Sequence, residues 1–183
     1  MFDNIRGDWE RHGRSLLSAA FGTMATYRFG RWSLARKTWI GRKITSGIYT
    51  FLALFVEMTT GNTIDRTLVL GTGFHLIHSG NVRIHPGCVI GDRCGIMHDV
   101  TLGMNMDGDG PPALGNDVFI GAGAKVLGGL HVGDGARVAA NSLVLADVPP
   151  GATAIGVPAR NLRYTGRKKS DSDTNNASRE SES

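Results

Sequence analysis

Residues 114–144 read LGNDVFIGAGAKVLGGLHVGDGARVAANSLV, with an aliphatic residue at every sixth position. After one Gly-rich interruption around Gly108, the same six-residue step continues toward the N-terminus. Ten positions in this phase are all Ile, Leu or Val: Ile84, Ile90, Ile96, Leu102, Leu114, Ile120, Val126, Val132, Val138 and Val144. Gly or Ala follows six of them. This hexapeptide repeat is typical of a parallel β-helix, in which three hexads form one triangular coil.

The aliphatic residue of each hexad is expected to point into the coil, and the small residue after it lets the chain turn the corner. Cys88 and Cys94 stand six residues apart at one hexad position, so both thiols should lie inside on neighbouring sides of a coil. Buried free thiols behave as small apolar groups. We therefore expect neither a disulfide nor a metal site at these cysteines, and their number indicates no oxidising compartment.

The 183 residues are expected to form three segments: an N-terminal helical arm over residues 1–60, a β-helix over residues 61–165 and a disordered tail over residues 166–183. Helical patterning begins near residue 8 of the arm. The tail is polar and lacks Ile, Leu and Val. Glycines should divide the arm into two or three short helices: Gly22, Gly30, Gly41 and Gly47.

Two interruptions of the repeat are expected to form loops. An earlier phase with the same six-residue step runs through Ile64, Leu70, Leu76 and Val82. The phase then slips by two residues between Val82 and Ile84, which predicts a small extra loop at a corner. Residues 103–113 read GMNMDGDGPPA, have no hexad character and predict a second, larger loop.

Basic residues are concentrated in the arm. Residues 1–60 hold nine Lys and Arg against four Asp and Glu, whereas residues 61–165 hold seven against eight. No basic–aromatic interleaving or binding motif favours nucleic acid as a partner. A solvated helix face explains the surplus most simply. Peripheral contact with an anionic membrane surface is the alternative, because six cations precede an apolar run: Arg28, Arg31, Arg36, Lys37, Arg42 and Lys43.

The sequence shows no export signal or membrane span. Residues 1–10 carry Asp3, Asp8 and Glu10 and contain no apolar run. The longest apolar stretch, residues 47–58, is about twelve residues long, whereas a bilayer-spanning helix needs about 20. We therefore expect a cytoplasmic location.

Three segments resemble the serine acetyltransferase family: VTLG at 100–103, IGAGAKVLG at 120–128 and VPPGATAIGVPAR at 148–160. The resemblance extends over about residues 64–163. It implies a left-handed parallel β-helix, acetyl transfer from acetyl-CoA to a hydroxyl group, and a homotrimer that binds the coenzyme between neighbouring subunits. Similar sequences also acetylate sugars in polysaccharide pathways. The acceptor therefore stays open between L-serine and a sugar or exopolysaccharide precursor.

The chain departs from this family where carboxylates are expected. His78 in the segment IHSGN matches the family's catalytic histidine, which lies in Asp-His-Ala-Thr-Gly, but Ile77 replaces the aspartate. Thr63 stands where the family's orienting aspartate falls, and Asp65 is two positions away. Pro111–Pro112 matches a His-Pro pair of the family, so that histidine is missing. These losses affect the binding of an amino acid more than acetyl transfer itself.

Acetyl transfer from a thioester to an alcohol needs a general base, and histidine suits this role at neutral pH. His78 and His98 are each the third residue of a hexad, and they are separated by one coil of eighteen residues plus the slip of two. We expect them to stack at one corner of adjacent coils, about 5 Å apart along the axis. A polar ladder without catalytic function is the alternative. The candidate catalytic residues are His78, His98 and Asp65; a zinc site would need a third ligand that the spacing does not supply, so no metal is expected.

Coenzyme A requires a groove that its pantetheine arm can approach closely and cations for its phosphates. The small residues of IGAGA and the cations near it suit this role. The candidate coenzyme-binding residues are Gly103, Gly121, Ala122, Gly123, Lys125, Arg137, Ala140, Pro158 and Arg160. The sequence therefore predicts an acetyl-CoA-dependent O-acetyltransferase acting on a small hydroxyl acceptor. The alternative is a non-catalytic β-helix scaffold, which the presence of His78 disfavours.

Overall fold

The computed structural model describes residues 18–78, 80–106 and 108–162. The first part of the arm and the polar tail, whose disorder the sequence predicts, lie outside these ranges. The described helices are α1, Ala19–Leu34, and α2, Trp39–Thr60. The strands are β1 Thr63–Ile64, β2 Val69–Leu70, β3 His75–Ile77, β4 Arg83–Ile84, β5 Val89–Ile90, β6 Gly95–Met97, β7 Thr101–Gly103, β8 Ala113–Leu114, β9 Phe119–Ile120, β10 Lys125–Leu127, β11 His131–Val132, β12 Arg137–Val138, β13 Leu143–Val144, β14 Thr153–Gly156 and β15 Ala159–Leu162.

Successive strands pass in turn to three sheets, which form the three sides of the coil. Sheet A has the order β1-β4-β7-β10-β13, sheet B has β11-β8-β5-β2, and sheet C has β15-β14-β12-β9-β6-β3. The strand pairs are parallel except β14 with β15, which form an antiparallel hairpin. The hexapeptide repeat thus forms the parallel β-helix that it predicts.

The core of the β-helix is the column of aliphatic side chains that the repeat identifies. All ten hexad positions are at most 4% exposed, and Cys88 and Cys94 are fully buried as free thiols, as expected. Each corner adds a second buried residue, such as Val100 or Val118. Burying a side chain of this size stabilises the fold by about 1.5–3 kcal/mol, so the column supplies much of the stability.

The small residue after the aliphatic position is required by the approach of the next coil. A Cβ atom on Gly91 would lie 2.5 Å from the carbonyl oxygen of Gly115. On Gly121 it would lie 2.6 Å from the amide nitrogen of Ala140. Both distances are far below van der Waals contact, so at these two positions the coils reach strand spacing only because the residue lacks a side chain.

The small corner loop lies earlier than the phase slip suggests. Leu76 pairs with Ile96 and Ile84 with Leu102, so eight residues of one coil match six of the next. Val82 is a corner residue like Val100, and both are fully buried. The two extra residues therefore lie between Leu76 and Val82, and the prediction that they lie between Val82 and Ile84 is wrong.

The glycines of the arm do not interrupt its helices. Gly22 and Gly30 lie inside α1, Gly41 and Gly47 lie inside α2, and the break falls at residues 35–38. Gly30 is required by packing, because a Cβ atom there would lie 2.5 Å from the ring of Tyr49. The prediction of breaks at these glycines is wrong, since a single glycine costs a helix only about 1 kcal/mol and need not end it.

Helix α1 covers the open end of the first coil. Tyr27 is buried, and its hydroxyl donates to the carbonyl oxygen of Leu68 at 2.8 Å. The guanidinium of Arg28 donates to the carbonyl oxygen of Gly71 at 3.3 Å. These bonds give partners to backbone acceptors at an end that has no preceding coil.

Replacement of Gly91 by alanine tests the spacing between coils. Gly91→Ala should destabilise the protein by about 1–3 kcal/mol, because the added methyl group meets backbone of the next coil. Gly22→Ala is the matched control, since an added Cβ there meets nothing within 4 Å. It should be neutral or stabilise by up to about 1 kcal/mol. Urea unfolding monitored by circular dichroism measures both, and equal effects would contradict the packing argument.

Candidate active site

One corner of the coil collects most of the candidate residues. The chain passes there from sheet C to sheet A, through residues 78–82, 98–100, 121–124 and 139–142; we call it the histidine corner. The strand register pairs Ile77 with Met97, Ile96 with Ile120 and Ile120 with Val138. Continued to the corner, this register stacks His98, Ala122 and Ala140 in one column, and the amide of Asp99 donates to the carbonyl oxygen of Gly80 above them. His78 lies beside the top of this column, next to the two-residue insertion.

The two imidazole rings are exposed and face each other. The ring centroids of His78 and His98 lie 6.3 Å apart, and the ring planes form an angle of 65°. His78 has a φ of 60°, a backbone conformation that non-glycine residues seldom adopt. Below His98 the column continues with Ala122 and Ala140, whose small side chains leave the surface beside the imidazoles open. The spacing of twenty residues correctly predicts the stack.

Asp99 connects three successive coils beside the histidines. Its carboxylate accepts a hydrogen bond from the side-chain amide of Asn81 at 2.8 Å and lies 3.4 Å from the ammonium of Lys125. The same ammonium donates to the backbone oxygen of Asp99 at 2.6 Å. The carboxylate and ammonium are partly exposed, so this pair contributes little to stability. It holds the backbone next to His98 in place.

The glycines of the histidine corner serve packing between coils. The Cβ direction of Gly121 is filled by the backbone of Ala140, and that of Gly123 by the side chain of Asn141. Neither glycine therefore opens a cradle for a ligand. The accessible small residues at this corner are Ala122 and Ala140.

Asp65 does not meet the histidines within the chain. It follows β1 at the corner between sheets A and B, and its carboxylate accepts from the amide of Thr67 at 2.7 Å and from the hydroxyl of the same residue. The carboxylate thus closes a local turn. The interpretation of Asp65 as a partner of His78 finds no support in this position.

The other candidates lie around the histidine corner at different distances. Gly103 ends β7 at the opposite edge of sheet A, where the 103–113 loop leaves. Arg137 is exposed on β12 of sheet C. Pro158 and Arg160 are exposed at the β14–β15 hairpin, which adds to the end of the same sheet.

The two cysteine thiols are poorly suited to nucleophilic catalysis. Burial raises the pKa of Cys88 to about 11, and burial likewise raises the pKa of Cys94. The Cys94 thiol donates to the carbonyl oxygen of Gly115 at 3.1 Å. Both groups therefore stay protonated at neutral pH, while the reactive form of cysteine is the thiolate.

Sequence reasoning missed the roles of Asn81 and Asp99 in building the corner. Asp99 could have been suspected, because it directly follows His98. Asn81 could not, because its reach to the next coil depends on where the two extra residues fall. His85 is a local structural residue, since its Nδ1 accepts from the amide of Gly87 at 3.1 Å.

The repeat, the coil and the exposed imidazoles define the class of hexapeptide-repeat acyltransferases. Residues 111–146 match the family described as Bacterial transferase hexapeptide (six repeats). The serine acetyltransferase of Salmonella typhimurium is 36% identical over 151 residues, which are 81% of this chain and 53% of that protein. The chain spans between half and two thirds of the length of the curated relatives that it matches.

Solved structures agree with the sequence relatives. The crystal structure of serine acetyltransferase from Brucella abortus superposes with a TM-score of 0.73 at 32% identity, over 89% of this chain and 67% of that one. The structure of the Brucella abortus enzyme in complex with coenzyme A superposes with a TM-score of 0.74 at 31% identity, over 89% of this chain and 66% of that one. The chain belongs to the serine acetyltransferase-like family of hexapeptide-repeat acyltransferases.

Proposed function

We propose that this chain is an acetyl-CoA-dependent O-acetyltransferase that works at the histidine corner. The observation that carries the proposal is the pair of exposed, facing imidazoles above Ala122 and Ala140. In this arrangement one histidine can act as a general base on the acceptor hydroxyl, while the thioester lies on the small apolar surface of Ala122 and Ala140. The coenzyme A bound to the related Brucella abortus enzyme supports the choice of acetyl donor.

His78 is the proposed general base, because it matches the family's catalytic histidine. Its imidazole takes the proton of the acceptor hydroxyl as the hydroxyl oxygen bonds to the acetyl carbon. The same proton can pass to the sulfur when the C–S bond breaks, which leaves the acetyl ester and the free thiol. His98, 6.3 Å away, is proposed to hold the acceptor hydroxyl in position.

The coenzyme is proposed to lie along Ala122 and Ala140, whose small side chains allow close approach. Its phosphates would meet the exposed guanidinium groups of Arg137 and Arg160 on the side of sheet C. Pro158 shapes the hairpin that carries Arg160. The remaining candidates, Gly103, Gly121, Gly123 and Lys125, would act by supporting the fold around this groove.

An uncharged hydroxyl acceptor, such as a sugar or an exopolysaccharide precursor, is favoured over L-serine. An amino acid needs groups that pair its ammonium and its carboxylate, because unpaired charge in a partly dry site is costly. Ile77 and Thr63 stand where the family has aspartates, and Asp99 already pairs with Lys125 and Asn81. L-serine is the second candidate, since the matched relatives are serine acetyltransferases.

The family resemblance also supports a homotrimer, in which the groove would lie between neighbouring subunits. A cytoplasmic location stays a prediction from the sequence. A scaffold without catalysis is disfavoured, because nothing in the packing of the coil requires two exposed histidines at one corner.

Replacement of His78 tests the proposed base. His78→Ala should lower kcat by about 10²–10⁴-fold with the fold unchanged, since general-base catalysis is typically worth that much. His131→Ala is the matched control, because His131 is exposed on β11 of sheet B, away from the histidine corner. Release of free thiol from acetyl-CoA measures both rates. An unchanged rate in His78→Ala would show that His78 is not the base. His98 would then be the candidate base, and His98→Ala should show the loss of kcat.

Two glutamine variants distinguish the proposed roles of Arg160, which contacts phosphate, and Lys125, which supports the backbone beside His98. Arg160→Gln should raise the KM for acetyl-CoA with little change in kcat, because contacts with remote phosphates act alike in ground and transition states. Lys125→Gln should in contrast lower kcat, since Asp99, next to His98, loses the hydrogen bond from the Lys125 ammonium. Arg93→Gln, which affects an exposed ion pair with Asp117 at another corner, is the control. Wild-type kinetics in both test variants would contradict the proposed groove.

The acceptor is identified by steady-state kinetics of thiol release with L-serine and with a panel of sugars. We expect weak or no activity with L-serine and higher activity with an uncharged hydroxyl acceptor. A kcat/KM for L-serine of about 10⁴ M⁻¹s⁻¹ or higher, in the ordinary enzyme range, would refute the sugar acceptor. It would show that other groups replace the missing aspartates.

A further inference from the structure

Helix α2 exposes a continuous apolar stripe along its whole length. The stripe consists of Ile40, Ile44, Ile48, Phe51, Leu54, Phe55 and Met58, whose exposed fractions range from 48% to 86%. Steps of three and four residues place these side chains on one face of the helix. From Ile40 to Met58 the stripe is about 27 Å long at 1.5 Å per residue. We call it the α2 stripe.

The opposite face of α2 makes the contacts that hold the helix on the protein. Tyr49 lies on that face, is 8% exposed and packs against Gly30 of α1. Its hydroxyl accepts from the backbone amide of Arg66 at 3.2 Å. The helix is therefore anchored through one side, and the α2 stripe lies on the other. An apolar patch of this length on a soluble surface marks an interaction site.

Cations surround the N-terminal end of the α2 stripe. Between residues 19 and 60 the sequence has six Lys and Arg but one acid, Glu57, which lies near the far end of α2. Five of the six cations are exposed: Arg31, Arg36, Lys37, Arg42 and Lys43.

Two tryptophans lie among these cations. The guanidinium of Arg36 lies 3.5 Å from the ring centre of Trp32, and the ammonium of Lys43 lies 4.2 Å from that of Trp39. Trp39 is 66% exposed and begins α2. Aromatic rings with neighbouring cations suit the boundary between lipid headgroups and acyl chains.

We propose that α2 lies in the plane of an anionic lipid surface, with the α2 stripe in the acyl boundary and the five exposed cations at the headgroups. An amphipathic helix with large apolar residues on one face and Lys and Arg beside it binds membranes in this way. The helix lies on the surface and does not cross it, because no described helix is long and apolar enough to span a bilayer.

Charge favours a lipid surface over a second copy of the chain. Two copies packed in parallel through the α2 stripe would bring ten exposed cations to one end, and two antiparallel copies would place five cations beside a single Glu57 at each end. Such a contact leaves most of the charge unpaired and self-repelling. Anionic headgroups neutralise all five exposed cations of one chain, and the acyl boundary covers the apolar side chains at the same time.

Co-sedimentation of the full chain with vesicles tests the proposal. The protein should bind vesicles of phosphatidylcholine and phosphatidylglycerol, and much less to vesicles of phosphatidylcholine alone. Rising salt should weaken binding, because exposed charges are screened. Binding that is equal for both vesicle types, or absent from both, would overturn the proposal.

Three sets of variants separate the apolar and charged contributions. The pair Phe51→Ser and Phe55→Ser should reduce partitioning into anionic vesicles at least tenfold. Replacement of Arg36, Lys37, Arg42 and Lys43 by Gln should reduce it on the order of 10³-fold, since each cation near an anionic surface contributes about fivefold. The control pair Val69→Ser and Val89→Ser removes exposed apolar groups from sheet B and should bind like the wild type. Equal binding by all variants would contradict the role of α2.

A second measurement does not depend on the folding of the stripe variants. The sequence has three tryptophans, and the pair Trp9→Phe and Trp32→Phe leaves Trp39 as a single fluorophore. Brominated lipid should quench its fluorescence in anionic vesicles. No quenching, together with a Phe51→Ser/Phe55→Ser variant of lower mass in light scattering, would show that the α2 stripe binds a second copy instead.

Discussion

Each coil of this β-helix must lie one strand spacing, about 4.8 Å, from the next, and the rest of the structure depends on that distance. It excludes a side chain at corner positions such as Gly91 and Gly121, where a Cβ atom would meet the backbone of the following coil. It also stacks equivalent residues into columns. Polar residues that point outward at equivalent positions of two successive coils are therefore neighbours at a distance set by the strand spacing. The imidazoles of His78 and His98 face each other beside such a column.

The histidine corner departs from the regular coil only outside the core. Two extra residues enlarge it, and His78 adds a positive φ angle of 60°, whereas the positive φ angles of Asn81 and Asp99 recur on other coils, for example in Asn141. Such conformations carry a cost for residues other than glycine. The Asp99 carboxylate, bound by Asn81 and Lys125, ties three coils together at this point. Val82 and Val100 stay fully buried beneath it, so the site and the core are built from different positions of the same repeat.

The sequence period was enough to predict the ten core positions, the buried cysteines and the histidine stack, because each follows from counting in sixes. Counting could not locate the extra corner loop, since Val82 is aliphatic whether it lies in a strand or at a corner. Propensity misplaced the helix breaks, because the cost of one glycine is too small to end a helix, and Gly30 is in addition required by its packing against Tyr49. The hydrogen bonds of Asp99 depend on side-chain reach across coils, which no linear pattern encodes. Asp65 is a candidate in the sequence because it lies two positions from where the family's orienting aspartate falls.

Helix α1 caps the first coil and so fixes where the stack of coils starts. A repeating coil has no intrinsic length, because any coil can stack on any other, and its open end is a template for another chain. Tyr27 and Arg28 occupy the carbonyl oxygens of Leu68 and Gly71, and α1 lies where a preceding coil would stack. At the other end, β15 runs antiparallel and breaks the repeat. Within residues 18–162, the two ends thus limit growth along the axis and leave the three sides of the coil, and the described part of the arm, for association with other molecules.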